Sequence, residues 1–349
     1  MFLTGREIIA AVKKASTWRE AVTVGEGDGL LITREALGAK APEFVADDSL
    51  GLSDPVSLMK AKEKVEGSIE GYLRYEGLDL LFALALGSSS DPQQIDSSSA
   101  YSHLYQASDS IKGLFATLVI KKSQTPKGVW EIPSAKITGF TISGEVGELA
   151  KVSFDLLGNK IETENPVNSD SSLSAVTYKG KGLVCQVNEK ARVRMNKTED
   201  EALDDDDRIF PSSFEITFKR PFRENYELGY TDMSEPVQDD FTEATIRLTF
   251  DKYNIDTFMS AIESQEAYKM DFLFEGPLIP GTSVKYQLKI EIPKVVWTSG
   301  SADVDSPGLI SHVAEGRMIK PESAPSGMET SSVIGVQIVN TLSTNPLSG

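Results

Sequence analysis

The sequence has few of the side chains from which disulfides, metal sites and nucleophilic centres are built. It contains a single cysteine, Cys185, and two histidines, His103 and His312. One cysteine excludes an intramolecular disulfide, and these three soft ligands offer little from which to build a structural zinc site. We interpret both histidines as ordinary polar residues and Cys185 as a strand residue.

Positive charge is also scarce, because 35 lysines and arginines face 52 aspartates and glutamates, which gives a formal net charge of −17. Surfaces that hold nucleic acid or an anionic membrane leaflet need clusters of Lys and Arg, so the composition argues against both. No apolar run approaches the roughly 18 residues of a membrane-spanning helix. We expect a soluble chain that folds in a reducing cytoplasm.

The motifs of common catalytic and cofactor sites are missing as well. There is no Walker A sequence and no nucleophile elbow. The segment Gly25–Gly29 lacks the third glycine of a dinucleotide-binding loop, and its two acids would repel phosphate. The acidic run Asp204–Asp207 lacks the spacing of a calcium-binding loop. We interpret both segments as ordinary loops, and the sequence predicts no catalytic residue, no metal site, no cofactor and no enzymatic activity.

The length of the chain and the positions of its loop-forming segments indicate two domains. A chain of 349 residues fits two domains of ordinary size. Residues 1–60 are rich in Gly and Pro, and we predict an irregular N-terminal arm with one short helix at residues 5–15. A polar, Pro-containing stretch at residues 159–175 marks the boundary between a first domain, 61–165, and a second domain, 166–349.

A strand followed by a short helix is the clearest local unit. Ile69 and Leu73 belong to a segment with alternating apolar positions, which is typical of a strand. An apolar helix follows, with Asp79 as the predicted N-cap and Gly87 as the residue that ends it. Because this helix is apolar all round, we expect it to be buried on several sides.

The second half repeats this unit. Ala244–Phe250 alternates like a strand, and a helix follows for which Asn254 or Asp256 is the predicted N-cap. An offset of 177 residues places Ile69 on Ile246 and Asp79 on Asp256. We therefore predict structural helix caps at Asp79 and Asp256.

A second match supports the repeat. Glu131-Ile132-Pro133 recurs as Glu291-Ile292-Pro293 at an offset of 160, so the first half has 17 more residues between its helix and this motif than the second half has. The serine-rich loop Ser88–Ala100 accounts for most of them. The order of elements predicts a mainly β fold made of two tandem copies of one domain, each with one short flanking α-helix.

Several segments, in this order along the chain, resemble the tail tube (major tail) proteins of tailed bacteriophages. The resemblance covers most of the chain and includes no catalytic signature. The segments are Ser16–Trp18, Val24–Ile32, Asp47–Gly51, Tyr72–Asp79, Leu84–Gly87, Pro211–Ile216 and, as the last strand, Gly335–Thr341.

The resemblance implies a member with two fused β-sandwich tube domains. Three such chains would form a ring of six similar domains, and stacked rings would form the tail tube through which genome DNA is ejected. The implied partners are other copies of the chain, the tape measure protein in the lumen, the tail terminator and distal tail proteins, and double-stranded DNA that passes without specific binding. The implied location is the virion tail, assembled in the host cytoplasm and without a membrane partner.

Two further hypotheses follow from the tube role. Part of the excess acid is expected on the lumen face, where it would repel DNA phosphates, although single acids cannot be assigned from the sequence. The N-terminal arm and the Ser88–Ala100 loop are candidates for contacts between rings, and flexible surface loops are the alternative.

Two other functions fit parts of the sequence. One is the inner tube of a contractile tail or a related injection apparatus. The other is a carbohydrate-binding β-sandwich, which would need an exposed aromatic platform. Trp18, Trp130 and Trp297 lie far apart in the sequence, which argues against that platform.

Overall fold

The computed structural model describes residues 7–40, 43–45, 54, 58–122, 128–252, 257–303 and 311–348 of the chain. Antiparallel β-strands dominate this part of the chain, and the helices in it are short. None of the helices in these ranges has the length and hydropathy needed to span a bilayer.

The first half of the described chain forms strands around one helix. In order, its elements are β1 (Ile9–Ala15), β2 (Arg34–Glu35), β3 (Gly38–Lys40), β4 (Glu43–Val45), β5 (Leu58–Lys60), β6 (Lys64–Tyr72), α1 (Asp79–Leu86), β7 (Gln93–Gln94), β8 (Tyr101–Gln106), β9 (Phe115–Lys121), β10 (Val129–Glu145) and β11 (Lys151–Gly158).

The second half follows a similar order. Its elements are α2 (Asp170–Ser174), β12 (Ala191–Lys197), β13 (Arg208–Ile209), β14 (Ser213–Lys219), β15 (Phe222–Asn225), β16 (Ser234–Gln238), β17 (Glu243–Phe250), α3 (Thr257–Ser264), β18 (Ala267–Leu278), β19 (Lys285–Asp303), β20 (Ser311–Met318) and β21 (Gly335–Asn340).

One large antiparallel sheet, the central sheet, runs through both halves. Its strand order is β2 with β3, then β6, β11, β10, β14, β17, β20 and β19. The two long strands β10 and β19 leave this sheet in their N-terminal parts and join outer strands. There β10 pairs with β9, which pairs with β1, and β19 pairs with β18 and β21.

The two layers enclose one apolar core, and the helices close its sides. Helix α1 packs against β8 and β10, and helix α3 packs against β19. Phe82 of α1 is fully buried and meets the rings of Phe140 and Phe154 edge-on, with centroids 5.4 and 5.2 Å away. The predicted mainly β, tandem β-sandwich fold with short flanking helices is confirmed. Helix α2 is an addition to the prediction.

The pairing registers of the two halves repeat each other. In the pair β10–β11 a bulge lies between Ile137 and Gly139, and in the pair β19–β20 the same bulge lies between Trp297 and Ser299. Both positions differ by the offset of 160 that relates the two Glu-Ile-Pro motifs. A bulge that recurs at the same place is evidence for two copies of one unit, since bulges are specific features of a strand pair.

The offset for the first strands of the repeat differs from the sequence prediction. Phe154 of β11 faces Ile69, and Ala314, its counterpart in β20, faces Leu248. The offset between β6 and β17 is therefore 179 rather than 177, and Ile69 corresponds to Leu248, not to Ile246. A slip of two residues keeps the same face of a strand buried, so the apolar pattern alone did not distinguish the two alignments.

One prediction for the N-terminal region is wrong, whereas the predictions for the last strand and for the end of α1 are confirmed. The described part of the segment predicted as a helix at residues 5–15 contains no helix. From Ile9 to Ala15 it forms strand β1, which pairs along its length with β9. The predicted last strand is confirmed as β21. The predicted end of α1 is also confirmed, because Gly87 adopts a left-handed conformation with φ 89°, which favours glycine.

Candidate assembly surface: the open face and the edges of the central sheet

One face of the central sheet carries mostly polar side chains. On β17, Ala244 and Ile246 are buried, whereas Glu243, Thr245 and Arg247 between and beside them are exposed. The cross-strand registers place the exposed residues of each neighbouring strand on the same side. We call this surface, which runs from β2 and β3 to β20, the open face.

The described side chains of the open face include seven basic and seven acidic residues. The basic residues are Arg34, Lys40, Lys64, Lys151, Lys219, Arg247 and Arg317. The acidic residues are Glu66, Glu70, Glu145, Asp155, Glu215, Glu243 and Glu315.

Opposite charges on the open face are neighbours across strands. Arg34 contacts Glu70 at 2.7 Å, and Arg247 contacts Glu315 at 3.5 Å. Glu66 accepts from Lys40 on the adjacent strand. Such cross-strand pairs neutralise each other locally, so much of the charge on the open face is paired.

Lys40 and Lys64 together hold the carboxylate of Glu66. Both ammonium groups donate to it, and these hydrogen bonds lower the pKa of Glu66 below its ordinary value. Lys64 also donates to Glu224 of β15. Burial would lower the pKa of Lys64, but the contacts with Glu224 and Glu66 outweigh burial and raise it. This cluster ties the open face of the first half to the second half.

The charge balance of the open face differs from that of the whole chain. The chain carries a net charge of −17, but the described charged side chains of this face cancel. The excess acid is therefore on other surfaces of the chain. The composition gives the number of charged residues but not the strand face on which each of them lies.

The two ends of the central sheet are open edges. At one end β2 and β3 pair with β6 on one side. At the other end the C-terminal part of β19, from Trp297 to Asp303, pairs with β20 on one side. Within the described ranges no strand pairs with the outer side of either segment. Unpaired edges expose N–H and C=O groups that can pair with another chain.

The two halves of the chain are joined inside the sheet by the pair β10–β14, from Gly139 opposite Lys219 to Glu145 opposite Ser213. A buried arginine strengthens this junction. Arg220 donates through Nε to the carbonyl oxygen of Ala85 at 3.1 Å and through Nη2 to that of Leu86 at 2.8 Å. These are carbonyls of the last turn of α1, which lack helical partners. Burial lowers the pKa of Arg220 to about 10.

A buried lysine anchors the β15–β16 hairpin of the second half on the first half. Lys136, only 2% exposed, donates to Glu235 Oε1 at 2.7 Å and to the carbonyl oxygen of Ile111 at 2.6 Å. Burial lowers the pKa of Lys136, and the contact with Glu235 opposes that change. The sequence analysis missed Lys136 and Arg220, although a lone cation such as Lys136 within the apolar run that surrounds it was an available signal.

The predicted helix cap Asp79 lies at the start of α1 but makes other contacts. The helix begins at Asp79 itself, and Leu78 precedes it as the N-cap residue. The buried carboxylate of Asp79 accepts from Tyr105 Oη and Asn340 Nδ2, both at 2.9 Å, and from the N–H of Gly77 at 3.2 Å. Asp79 therefore connects α1 to strands β8 and β21 rather than satisfying the amides of the first helical turn.

The second predicted cap, Asp256, and its alternative Asn254 lie outside the described residues. The predicted helix itself is present as α3, which begins at Thr257. The capping role of Asp256 stays a prediction.

The soft side chains are dispersed and buried. His103 lies in β8, where its Nε2 is 2.7 Å from the carbonyl oxygen of Leu342, and His312 lies in β20 beside the rings of Phe250 and Phe258. Burial lowers the pKa of His312. Cys185 is fully buried, and burial raises its thiol pKa.

The Asp204–Asp207 run forms a turn before β13. The N–H of Asp206 donates to Asp204 Oδ1 at 2.8 Å, and the N–H of Asp204 donates to Asp207 Oδ2 at 3.0 Å. Asp205 lies 3.4 Å from Arg208. These contacts fit the interpretation as an ordinary loop.

The three tryptophans do not form a common surface. Trp18 donates to the carbonyl oxygen of Met233 at 2.8 Å, the ring of Trp130 lies under the ammonium group of Lys122 at 3.6 Å, and Trp297 is buried against Phe258. None of the three is classed as exposed. The platform required for carbohydrate binding is therefore not built from these tryptophans.

The serine-rich loop at residues 88–100 packs against the C-terminal segment. Its short strand β7 pairs with β8, and Asn345 donates to the carbonyl oxygen of Ser89 at 3.2 Å. The loop is thus attached to the rest of the chain at its start and near its middle.

Comparison with known proteins agrees with this architecture. A family model described as phage tail tube protein matches residues 5–318, a range that contains β1 and ends with the last residue of β20. No curated protein matches the sequence. Because the family match covers most of the length, the chain belongs to the phage tail tube proteins.

Proposed function

We propose that this protein self-assembles into rings of three chains, and that the rings stack into the tube of a phage tail. Each chain contributes two similar tube domains, so each ring has six similar units. The open face lines the channel through which genome DNA passes during ejection. The observation that carries this proposal is the central sheet, which runs through both halves of the chain and ends in two edges that pair with no other strand of the described residues.

The position of those edges favours a ring. One edge, β2 with β3, belongs to the first half, and the other, the C-terminal part of β19, belongs to the second half. Contact between two different surfaces is heterologous, and such contacts close into rings when the rotation per subunit fits. Closure would pair the exposed edges and remove a site of aggregation.

The proposal also assigns the N-terminal arm and the domain boundary to parts of the tube domains. The predicted division is an arm at 1–60, a first tube domain at 61–165 and a second at 166–349. We propose that the strands between residues 9 and 40 are part of the first tube domain, since β1 pairs with β9 and β2 and β3 pair with β6. The loop at residues 88–100 is proposed to contact the next ring.

The charge pattern of the open face suits a DNA channel. A basic surface would bind phosphates and release counterions. On the open face Arg247 lies opposite Glu215 and Glu315, Lys219 lies opposite Glu243, and Lys40 and Lys64 share the carboxylate of Glu66, so acidic side chains accompany these positive charges. We propose that the balanced charge of the open face, rather than an excess of acid, prevents DNA from binding to the channel wall. Before ejection the same channel would hold the tape measure protein, and terminator and distal tail proteins would close its ends.

Negative-stain electron microscopy of the purified protein, combined with light scattering for its mass, tests the proposal. We expect stacked rings or tubes with a central channel, and a mass that is a multiple of three chains. A protein that remains monomeric at high concentration would contradict it. A contractile tail remains the second form of the same function, and a sheath gene beside this one would identify it.

A further inference from the structure

We infer that the free edge of β19 in one chain pairs with β2 and β3 of a second copy in one defined register, with Ser301 opposite Gly38 and Ser299 opposite Lys40. This inference rests on the proposed self-association and adds to it the residues that meet. Its basis is the strand pair that joins the two halves inside one chain.

The pair β10–β14 is the internal template. In it Thr141 lies opposite Thr217 and Gly139 lies opposite Lys219. The β10 side belongs to the first half of the chain and the β14 side to the second half. If the two halves are copies, the equivalent contact at the other end joins the β19 edge of one chain to the β2–β3 edge of the next.

The counterpart of β10 is known without reference to any contact between chains. Strand β19 matches β10 at an offset of 160, as the shared bulge at Ile137 and at Trp297 shows. Thr141 therefore corresponds to Ser301, and Gly139 corresponds to Ser299.

The counterpart of β14 follows from its pairing with β17. The N-terminal residue of β14, Ser213, faces Thr249, and Arg34 of β2 faces Glu70. Both members of these pairs differ by 179, which is the offset found between β6 and β17. Thr217 therefore corresponds to Gly38, and Lys219 to Lys40, and the register between two chains follows from two independent alignments.

The side chains at the template support the transfer. Lys219 reaches Asp155 at 3.8 Å across the intervening Gly139, because glycine leaves that position of the open face free of side chain. The equivalent charges between chains are Lys40 and Glu315, a lysine and a carboxylate in the same two places, with the small side chain of Ser299 in the position of Gly139. Lys40 would then lie between Glu66 of its own chain and Glu315 of the second copy.

Space at the edge is compatible with this pairing. A Cβ atom added to Gly38 would meet no atom within 4 Å, and its φ is not in the left-handed region. Gly38 therefore tolerates a side chain, which makes it a suitable place for a cysteine probe.

Disulfide trapping tests the register. The variant Gly38→Cys with Ser301→Cys should form covalent links between chains under mild oxidation, seen as dimers and trimers on a non-reducing gel. Thr141→Cys with Thr217→Cys is the matched internal control and should link within one chain. Native Cys185 is fully buried, so the unmodified protein should give no links.

A shifted pair distinguishes the register from mere proximity. Lys40→Cys with Ser301→Cys places the two cysteines diagonally, at about 7–8 Å between Cα atoms, which exceeds the usual span of a disulfide. Rings whose chains link through the shifted pair, or through neither pair, would overturn the register while self-association stands. A protein that stays monomeric in every variant would overturn both.

Charge reversal provides a second test that a folding defect does not imitate. Lys40→Glu should weaken ring formation, and Glu315→Lys in the same chain should restore it. Lys219→Glu with Asp155→Lys is the corresponding internal exchange. If Glu315→Lys fails to restore the rings of a folded Lys40→Glu protein, the proposed contact is wrong.

Discussion

Glu131 and Glu291 occupy equivalent positions in the two halves, and both accept hydrogen bonds from the backbone of a later loop. Each carboxylate is buried, and each accepts from two successive backbone N–H groups of a later loop. Glu131 accepts from Val167 at 3.0 Å and Asn168 at 2.8 Å. Glu291 accepts from the N–H groups of Glu329 at 2.9 Å and Thr330 at 3.2 Å. The recurring Glu-Ile-Pro sequence thus marks a carboxylate that fastens a loop to the strand.

Removing either charge should destabilise the fold by a similar amount. In Glu131→Gln or Glu291→Gln, an amide that cannot accept all these hydrogen bonds leaves buried N–H groups unpaired, at a cost of about 1–3 kcal/mol. Urea unfolding followed by circular dichroism measures the loss. Glu145→Gln, on the exposed open face, serves as the control and should change little. Equal midpoints for all three variants would contradict the fastening role.

Loss of Arg220 should weaken the junction between the two halves. Arg220→Met removes the donors to the carbonyls of Ala85 and Leu86. The Leu86 carbonyl still accepts from the N–H of Ser108 at 2.8 Å, whereas the Ala85 carbonyl loses the Arg220 donor, which should cost about 1–3 kcal/mol. Thermal unfolding should show the loss as an earlier transition. The neighbouring Arg223→Met is a matched control, since Arg223 is exposed. An Arg220→Met protein as stable as this control would show that the contact contributes nothing.

Acid should weaken the fold partly through Glu66. Hydrogen bonds from Lys40 and Lys64 lower the pKa of Glu66 below its ordinary 4.5. A carboxylate with a lowered pKa stabilises the fold at pH values above 4.5, and this contribution is lost as the pH falls through the folded-state value. The free energy of unfolding of Glu66→Gln should therefore fall less steeply with acid than that of the unmodified protein. Identical slopes would refute the assignment.

Converting the open face to a basic surface should make the tube retain DNA. Glu215→Lys with Glu243→Lys reverses the charges that lie opposite Arg247 and Lys219. Assembled protein carrying both changes should bind double-stranded DNA in a mobility-shift assay, with an affinity that falls steeply with salt.

The matched control for that experiment places the same charges elsewhere. Glu199→Lys with Glu322→Lys changes two exposed acids that lie outside the central sheet. We expect this variant to bind DNA more weakly than the open-face variant. Equal binding by both would mean that net charge, and not the position on the open face, controls DNA retention.

Much of the local structure could be predicted from the sequence. The end of α1 was predictable because Gly87 supplies the left-handed conformation that ends a helix. The last strand and the family were recognisable from short segments in the right order. The repeat was visible as well, but its offset in β6 was two residues off, since period-two patterns look the same after such a slip.

Strand β1 shows why other elements could not be predicted. Ile9–Ala15 contains three alanines and two lysines, which favour a helix by local propensity. This segment forms a strand because it pairs with β9, which is distant in the sequence. The pairing satisfies the backbone N–H and C=O groups of both segments. The partners of Lys136 and Arg220 lie equally far away along the chain, so no local pattern could name them.

The sequence by itself determined the β-rich duplicated architecture and the family, because alternation, turns and repeated motifs are local properties that survive in the order of residues. Only the tertiary structure decided which residues share the open face, that its described charges balance despite the net charge of −17, and which edges of the central sheet have no partner strand among the described residues. These properties depend on strand order and register, and both are set by contacts between residues far apart in the chain.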